Sequence, residues 1–446
     1  MKLFSPAQID MINKVAEKSK EVLNPPKSVK TRSINQDLID MSNKVLEYFK
    51  DAKSILITNV EQLHEYIDKV IEVGYAGIDT ETTGLDRVKD TIVGSSLYYP
   101  GGIECYIPNK HLVPIFDEPY KNQLTYEQMQ SEFQRLADSN VRLIFANADF
   151  DLSMIYKDYK VDLSDRCYYD TILAWRCMKE NELDNSLKVL YNKYVLKGKG
   201  DPMKFSDFFS PALFPYCKPD VAKLYAANDA KITYELFEWQ LPYITKDHPK
   251  CKRAKLESIA DLIWSVEFPL MKVCQNMHRT GVYLDKQVSS VLVDRYKKKE
   301  AAELQVLAGM VEEIIEKSDY SSSSKRPFNR GKDFNPKSPK HVQYLLYSMM
   351  KIPQGKDGQS TNKDVLGEIN LPITKQILHV RSLGVLISTF VEKLPKATTS
   401  DSRIHAQFKQ VGADTGRMSS SDPRHAYWGH KIKLIQGRVT SLSLVA

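Results

Sequence analysis

The sequence predicts an α/β or α+β layered domain followed by a mostly helical region, on three observations. Apolar β-type runs alternate with amphipathic helical runs from about Ser54 to Leu241. Beyond Cys251 the β signal almost vanishes. A chain of 446 residues also exceeds one ordinary core and has room for two or three.

The elements follow in order. Helical patterns at Ile9–Val22 and Leu38–Phe49, split by Asn24-Pro25-Pro26-Lys27, predict a small helical appendage. Ile55–Thr58 reads as a strand, Val60–Val73 as an amphipathic helix and Tyr75–Asp79 as a buried strand. Thr91–Tyr99 and Glu104–Pro108 continue the β pattern. Leu124–Ala137 is helical, and Val141–Ala146 is an apolar strand entering a polar cluster. From Asp170 to Leu241 helical periodicity dominates, interrupted by Gly198-Lys199-Gly200-Asp201-Pro202. Lys255–His278 reads as one helical run in which Pro269 forces a kink or local break. Gly281–Asp285 reads as a turn, and Val288–Glu316 as a long charged helix. Ser318–Pro336 is serine-rich and then basic. It reads either as a mobile solvated loop or as a basic tip that follows a phosphate backbone.

Composition excludes several classes. With 42% hydrophobic and 27% charged residues, wholesale disorder is excluded. No run approaches the roughly 20 continuous apolar residues of a membrane-spanning helix. The start, Met1-Lys2-Leu3-Phe4-Ser5-Pro6, lacks the apolar core of a secretory signal. Six scattered cysteines without a C-x-x-C pair argue against a disulfide framework or structural zinc, and fit a reducing cytoplasm. The net charge of +7 permits a polyanionic partner without demanding one.

The sharpest local signal is Ile78-Asp79-Thr80-Glu81-Thr82-Thr83-Gly84, an apolar strand running into an acid-x-acid pair. Residues two apart on a strand share a face, so Asp79 and Glu81 project together. Converging carboxylates repel unless a cation neutralises them, and hard oxygen ligands select Mg²⁺ or Mn²⁺. A D-x-E pair alone is common at solvated strand ends. Two further clusters add weight. In Leu143–Asp151 a buried strand empties into Asn147, Asp149 and Asp151 at a helix start. Asp151 is the better ligand candidate there, because Asp149 is placed to cap the helix. In Tyr225-Ala226-Ala227-Asn228-Asp229 the i, i+4 spacing puts Tyr225 and Asp229 on one helical face. Taken alone, Tyr225 reads as a core aromatic.

These three segments, with Asp170-Thr171 and Leu187-Lys188-Val189-Leu190 between them, resemble the motifs of the DEDD 3′–5′ exonucleases. The tyrosine four residues before the last acid matches the branch that uses Tyr where relatives use His. The resemblance implies an RNase H-like fold, a mixed five-stranded sheet with flanking helices. It implies that Asp79, Glu81, Asp151 and Asp229 hold two Mg²⁺ ions, with Mn²⁺ as substitute, and that Tyr225 orients the attacking water. Two metals about 4 Å apart serve both ends of an in-line displacement. A phenol with a pKa near 10 is a poor bulk base, so the tyrosine's role is positional. Asn147 is expected to support the site by hydrogen bonding. Thr82, Gly84 and Leu85 are expected to meet the terminal nucleotide, through backbone approach at Gly84 and an apolar wedge from Leu85.

A second resemblance is to the thumb and early palm of DNA polymerase I-like, family A polymerases of phage type. Its carriers include Val266–Leu270, Met277–Asp285, Phe334–Lys340, Ser360–Leu366, Arg403–Phe408 and Thr415–Pro423. Val385 departs from the pattern, where a lysine is frequent. The resemblance implies contacts from Lys337, Lys340 and Arg417 to primer-template DNA, weakening with salt. It stops at Pro423, before the catalytic palm and fingers, so polymerisation by this chain alone is not expected. The expected organisation is a helical appendage (1–52), an exonuclease domain (53–248), a thumb with the start of the palm (249–423) and a non-family tail (424–446). The expected function is removal of nucleotides from DNA 3′ ends, as the proofreading part of a replicative polymerase in a bacterial or phage-infected cytoplasm. The alternative is an incomplete polymerase subunit that binds primer-template and needs a second chain carrying palm and fingers.

Overall fold

The computed structural model describes residues 34–114, 116–179, 182, 186–246, 256–318, 327–355, 358–410 and 418–421. The first helical pattern, the serine-rich part of the insert, Arg417 and the tail from 424 lie outside these residues. The chain divides into two compact units, Met1–Pro269 and Leu270–Ala446.

The first unit is built on a mixed six-stranded sheet. In chain order its strands are β1 (Ile55–Leu56), β2 (Tyr75–Thr82), β3 (Ile92–Tyr98), β4 (Cys105–Pro108), β5 (Arg142–Phe145) and β6 (Cys167–Asp170). Their spatial order is β1-β4-β3-β2-β5-β6. The pairs β2–β3 and β3–β4 are antiparallel, whereas β1–β4, β2–β5 and β5–β6 are parallel. The α/β architecture is the expected one, with one strand more than the five implied. The two-residue β1 pairs with β4 at the edge of the sheet.

Helices flank this sheet. They are α1 (Ile34–Tyr48), α2 (Val60–Val73), α3 (Tyr126–Asp138), α4 (Ala148–Tyr159), α5 (Thr171–Met178), α6 (Leu187–Leu190) and α7 (Pro219–Ile244). Helix α2 begins where the Asn59 side chain accepts from Gln62 N and ends at Gly74, whose φ is 79°. Thr125 and Gln128 form a reciprocal capping box on α3. β6, which follows a turn at 164–166, is the element that the helical reading from Asp170 onward does not reach.

Helix α7 packs across β2, β3 and β4. Pro219 occupies its first turn, where a missing N–H costs nothing. Ala222, Ala226, Ala227 and Ala230 are fully buried, so small side chains let the helix lie close on the sheet. At the closest point, a Cβ on Gly77 of β2 would stand 2.1 Å from the Ala230 carbonyl oxygen.

The second unit is mostly helical, as expected. The long helix α8 (Lys286–Lys317) is capped by Asp285, which accepts from Gln287 N and Val288 N. It packs against α9 (Pro372–Leu386) around Leu307, Val311, Ile377 and Val380. Two expectations need correction. Val282–Tyr283, read as turn, pairs antiparallel with Arg403–Ile404, because Gly281 (φ 64°) reverses the chain just before it. Residues 327–336, read as part of a solvated loop or a basic tip, bury Phe328 and Phe334 in the core of this unit while Arg330 and Lys332 stay exposed. Pro269 follows a π-turn over Ile263–Glu267, a local irregularity in a helical run that continues to Thr280.

Gly77→Ala is expected to lower stability by about 1–3 kcal/mol through overpacking against α7. A urea unfolding midpoint equal to wild type would show that the helix can withdraw without cost.

Candidate active site

The site begins at β2. Asp79 and Glu81 alternate with Thr80, so both carboxylates leave the same face. The strand does not stop at Asp79 as expected. It stays paired with β3 through Thr82, with an irregularity between Glu81 and Thr82. With β5 it is paired only over Tyr75–Gly77, so the acids stand where that flank of the strand is released. Asp229 reaches the same place from α7, one residue before the close contact at Ala230. Carboxylate oxygens of Asp79, Glu81 and Asp229 lie within 4.8 Å of one another. Glu81 and Asp229 are buried, while Asp79 is partly exposed.

Asp151, on the first turn of α4, stands outside this trio. Its Oδ1 accepts from the Thr80 hydroxyl at 2.5 Å, on the residue between the two β2 acids. Its neighbour Asp149 was expected to cap the helix. Instead it pairs with Arg87 at 2.7 Å. The capping is done by Asp170, whose carboxylate accepts from Asn147 N and Ala148 N at the start of α4, and from Ile172 N and Leu173 N at the start of α5. Asn147 itself adopts a left-handed conformation (φ 75°) and its side chain makes no capping bond.

Burial and mutual repulsion set the electrostatics. Burial, then the charges of Asp151, Glu81 and Asp229, hold the Asp79 carboxyl well above its ordinary range. Burial and Asp229 push Glu81 up to about 8. Burial pushes Asp151 up to about 7, against the Thr80 hydrogen bond. Asp229 is raised by burial and partly relieved by Lys188. Lys188 Nζ lies 3.0 Å from Asp229 Oδ2 and 3.5 Å from the centroid of the Tyr225 ring. It sits on the short helix α6, which opens at once into a π-turn over Tyr191–Val195. Such turns often occur at functional sites.

Tyr225 is buried among Phe209 (5.2 Å between centroids), Phe205 and Phe208 (5.8 Å each) and Phe49 (6.2 Å). Burial and the carboxylates of Asp229, Glu81 and Asp79 hold its phenol well above 10. The donor set is all oxygen, which suits a hard divalent cation. Asp229 Oδ1 is buried and has no hydrogen-bond partner among the described residues, an acceptor that a cation would satisfy. Asp79, Glu81 and Asp229 could therefore hold a metal ion.

The remaining expected contacts are spread out. Leu85 is 77% exposed. The Thr82 hydroxyl donates to the Gly84 carbonyl at 2.7 Å. Gly84 is crowded from within, since a Cβ there would meet Asp90 Oδ2 at 2.5 Å. Lys337 and Lys340 lie in the second unit with exposed side chains, Lys337 Nζ being 3.4 Å from Glu300. Arg417 lies outside the described residues. Lys188, Arg87 and Asp170 were not singled out from the sequence for these contacts. The available signal was indirect: several buried acids require nearby cations and N–H donors.

Two stretches of the chain have counterparts among known families. Residues 55–239 match the family model described as 3′-5′ exonuclease. Residues 304–425 match the model described as DNA polymerase family A. The chain thus carries a 3′–5′ exonuclease domain of the family A DNA polymerases together with a stretch of the polymerase itself. DNA polymerase I of Borreliella burgdorferi is 27% identical over 380 residues, covering 84% of this chain and 37% of that protein. The DNA polymerase of Escherichia phage T5 is 27% identical over 394 residues, covering 82% of this chain and 42% of its own length. Among solved structures, the POL domain of Pol1 from M. smegmatis, in complex with DNA primer-template and dNTP, aligns with a TM-score of 0.57 at 18% identity. That alignment covers 83% of this chain and 55% of the other. The chain therefore spans about two-fifths of the length of such curated relatives.

The raised carboxyls have a pH consequence. Glu81 and Asp151 hold protons in the folded state up to about 8 and about 7, well above their ordinary values of 4.5 and 3.8. Through these two groups the folded state binds more protons than the unfolded one between about pH 4 and 8, so their contribution to stability falls as pH rises. In EDTA, the melting temperature is expected to fall from pH 5 to pH 8, and Mg²⁺ is expected to flatten that slope. A slope in EDTA that is the same in Asp79→Asn plus Glu81→Gln would place its source elsewhere.

Proposed function

We propose that the first unit hydrolyses DNA from the 3′ end, releasing one nucleoside monophosphate at a time, as the proofreading activity of a family A polymerase. The observation that carries this reading is the convergence of Asp79, Glu81 and Asp229 within 4.8 Å, beside Tyr225 and Lys188. In this proposal two Mg²⁺ ions, replaceable by Mn²⁺, are held by Asp79, Glu81, Asp229 and Asp151. Asp79 feels both Asp151 and the other two acids, which suits it to serve both ions. When bound, the cations supply charge for the attacking water and for the departing 3′ oxygen.

The protein's own residues do the positioning. The Tyr225 phenol keeps its proton, so it orients the water by hydrogen bonding and does not act as a base. Lys188 fixes both Asp229 and the tyrosine ring. Leu85, free in solvent, wedges against the terminal base, with Thr82, Gly84 and Asn147 lining the strand's path. Lys337 and Lys340, with Arg417, contact the phosphates of adjacent primer-template duplex. The described cysteines Cys105, Cys167, Cys177, Cys217 and Cys274 are free thiols, and no described helix is long and apolar enough to cross a membrane. Both fit action on DNA in a reducing cytoplasm.

The test is a 5′-labelled single strand incubated with Mg²⁺. Wild type is expected to shorten it stepwise from the 3′ end. Asp79→Ala plus Glu81→Ala is expected to slow this by more than about 100-fold, beyond the loss from a supporting residue. Degradation that persists in the double variant would move the site elsewhere. Lys188→Met is expected to lower the turnover rate by about 10–100-fold with little change in half-saturating DNA, as for a group that positions the reacting water. A change confined to DNA affinity would assign Lys188 to strand binding.

A further inference from the structure

Helix α1 lies before the stretch that matches the exonuclease family model, which begins at residue 55. Its sequence reads as an appendage, yet its packing ties it to the site. Leu38, Met41 and Val45 repeat at the three- and four-residue spacing of one helical face, and all three are buried in the apolar cluster that also holds Tyr225. Phe49 N donates to the Val45 carbonyl at 2.9 Å, so the helical turn carries Phe49 onto the same face. There its ring stands edge-on to Tyr225, with centroids 6.2 Å apart and planes at 88°.

The other rings around Tyr225 are Phe205, Phe208 and Phe209, and α1 grips the segment that carries them. Residues 201–204 are irregular, and only the short helix Phe205–Phe208 follows. The Tyr48 hydroxyl donates to the Asp201 carbonyl at 2.8 Å, and Lys44 Nζ donates to the Asp207 carbonyl. The ring of Tyr48 lies 5.2 Å from that of Phe208, and the ring of Phe49 lies 5.6 Å from it. Helix α1 thus touches the tyrosine twice, once through its own phenylalanine and once through the segment it holds. A phenol oxygen sits at the tip of a rigid ring, so whatever fixes the ring fixes the direction of the hydroxyl. Loss of that direction costs rate, because a misplaced water is bound but does not attack in line.

We propose that α1 belongs to the working machinery of the exonuclease, with Phe49 as a positioning residue for Tyr225. The inference rests on the proposed role of Tyr225 in orienting the attacking water. Phe49 is also the ring best suited to a test, being half-buried where Phe208 and Phe209 are buried in the core.

The experiment is a double-mutant cycle on the full chain. It follows Mg²⁺-dependent shortening of a 5′-labelled single strand over a range of DNA concentrations, with Mn²⁺ affinity from the free-ion paramagnetic resonance signal and melting temperature measured in parallel. Phe49→Ala is expected to lower the maximal rate about tenfold, with half-saturating DNA and Mn²⁺ affinity within about twofold of wild type. In a Tyr225→Phe background the same change is expected to cost less than about twofold, since the hydroxyl it positions is gone. An equal loss in both backgrounds would show that Phe49 acts elsewhere and overturn the inference. An unchanged rate, or a loss explained by weaker Mn²⁺ binding, would overturn it as well. Should Phe49→Ala not fold, Phe49→Leu, which keeps apolar bulk without the ring, decides by the same criteria. Tyr225→Phe alone separates the two layers of the argument. If it lowers the maximal rate while Phe49→Ala does not, the reading of Tyr225 stands and the role of α1 falls. If Tyr225→Phe turns over as wild type, the reading of Tyr225 fails and the inference falls with it.

Discussion

The contact on which the site depends is the approach of helix α7 to the bare backbone of Gly77. A methyl group at that position would overlap the Ala230 carbonyl. Its absence lets the helix settle at the depth where Asp229 comes level with Asp79 and Glu81. The buried alanines of α7 serve the same end along the rest of its length. Packing of small residues thus brings three carboxyl groups together. The free energy of burial offsets a repulsion that no isolated strand and helix would accept.

That repulsion explains the arrangement around the acids. Lys188 partly neutralises Asp229 and at the same time lies over the ring of Tyr225. The phenylalanines around that ring leave it few alternative orientations. Arg87 takes up Asp149, leaving Asp151 as the α4 acid hydrogen-bonded to β2. Each acid near the site therefore has a distinct assignment: three converge, one is tied to Thr80, one is paired with arginine and one caps helices.

Much of this was legible in the sequence because period and spacing carry it. The i, i+2 pair on β2 and the i, i+4 pair on α7 are local geometry, and the helix over Val60–Val73 appears with the bounds its pattern predicts. Side-chain pairing was less legible. Asp149 has the position of a cap in sequence, but Asp170 lies closer to the same N–H groups in space, from a strand whose four residues give no clear signal. Gly84 follows the acids as a loop glycine would, yet its crowding comes from Asp90, six residues on. The β-pairing of Val282–Tyr283 depends on a partner about 120 residues away, and long-range partners leave no mark on local periodicity.

Asp170 has a broader consequence. Its single carboxylate receives four backbone N–H groups, two from the beginning of α4 and two from the beginning of α5. Helix beginnings normally loosen independently, each with its own fraying equilibrium. Here the two share one anchor, so neither can unwind from its first turn without weakening the other. The segment bearing Asp151 and the segment leading toward Lys188 are thereby joined into one cooperative unit, and local breathing on one flank of the acids is felt on the other.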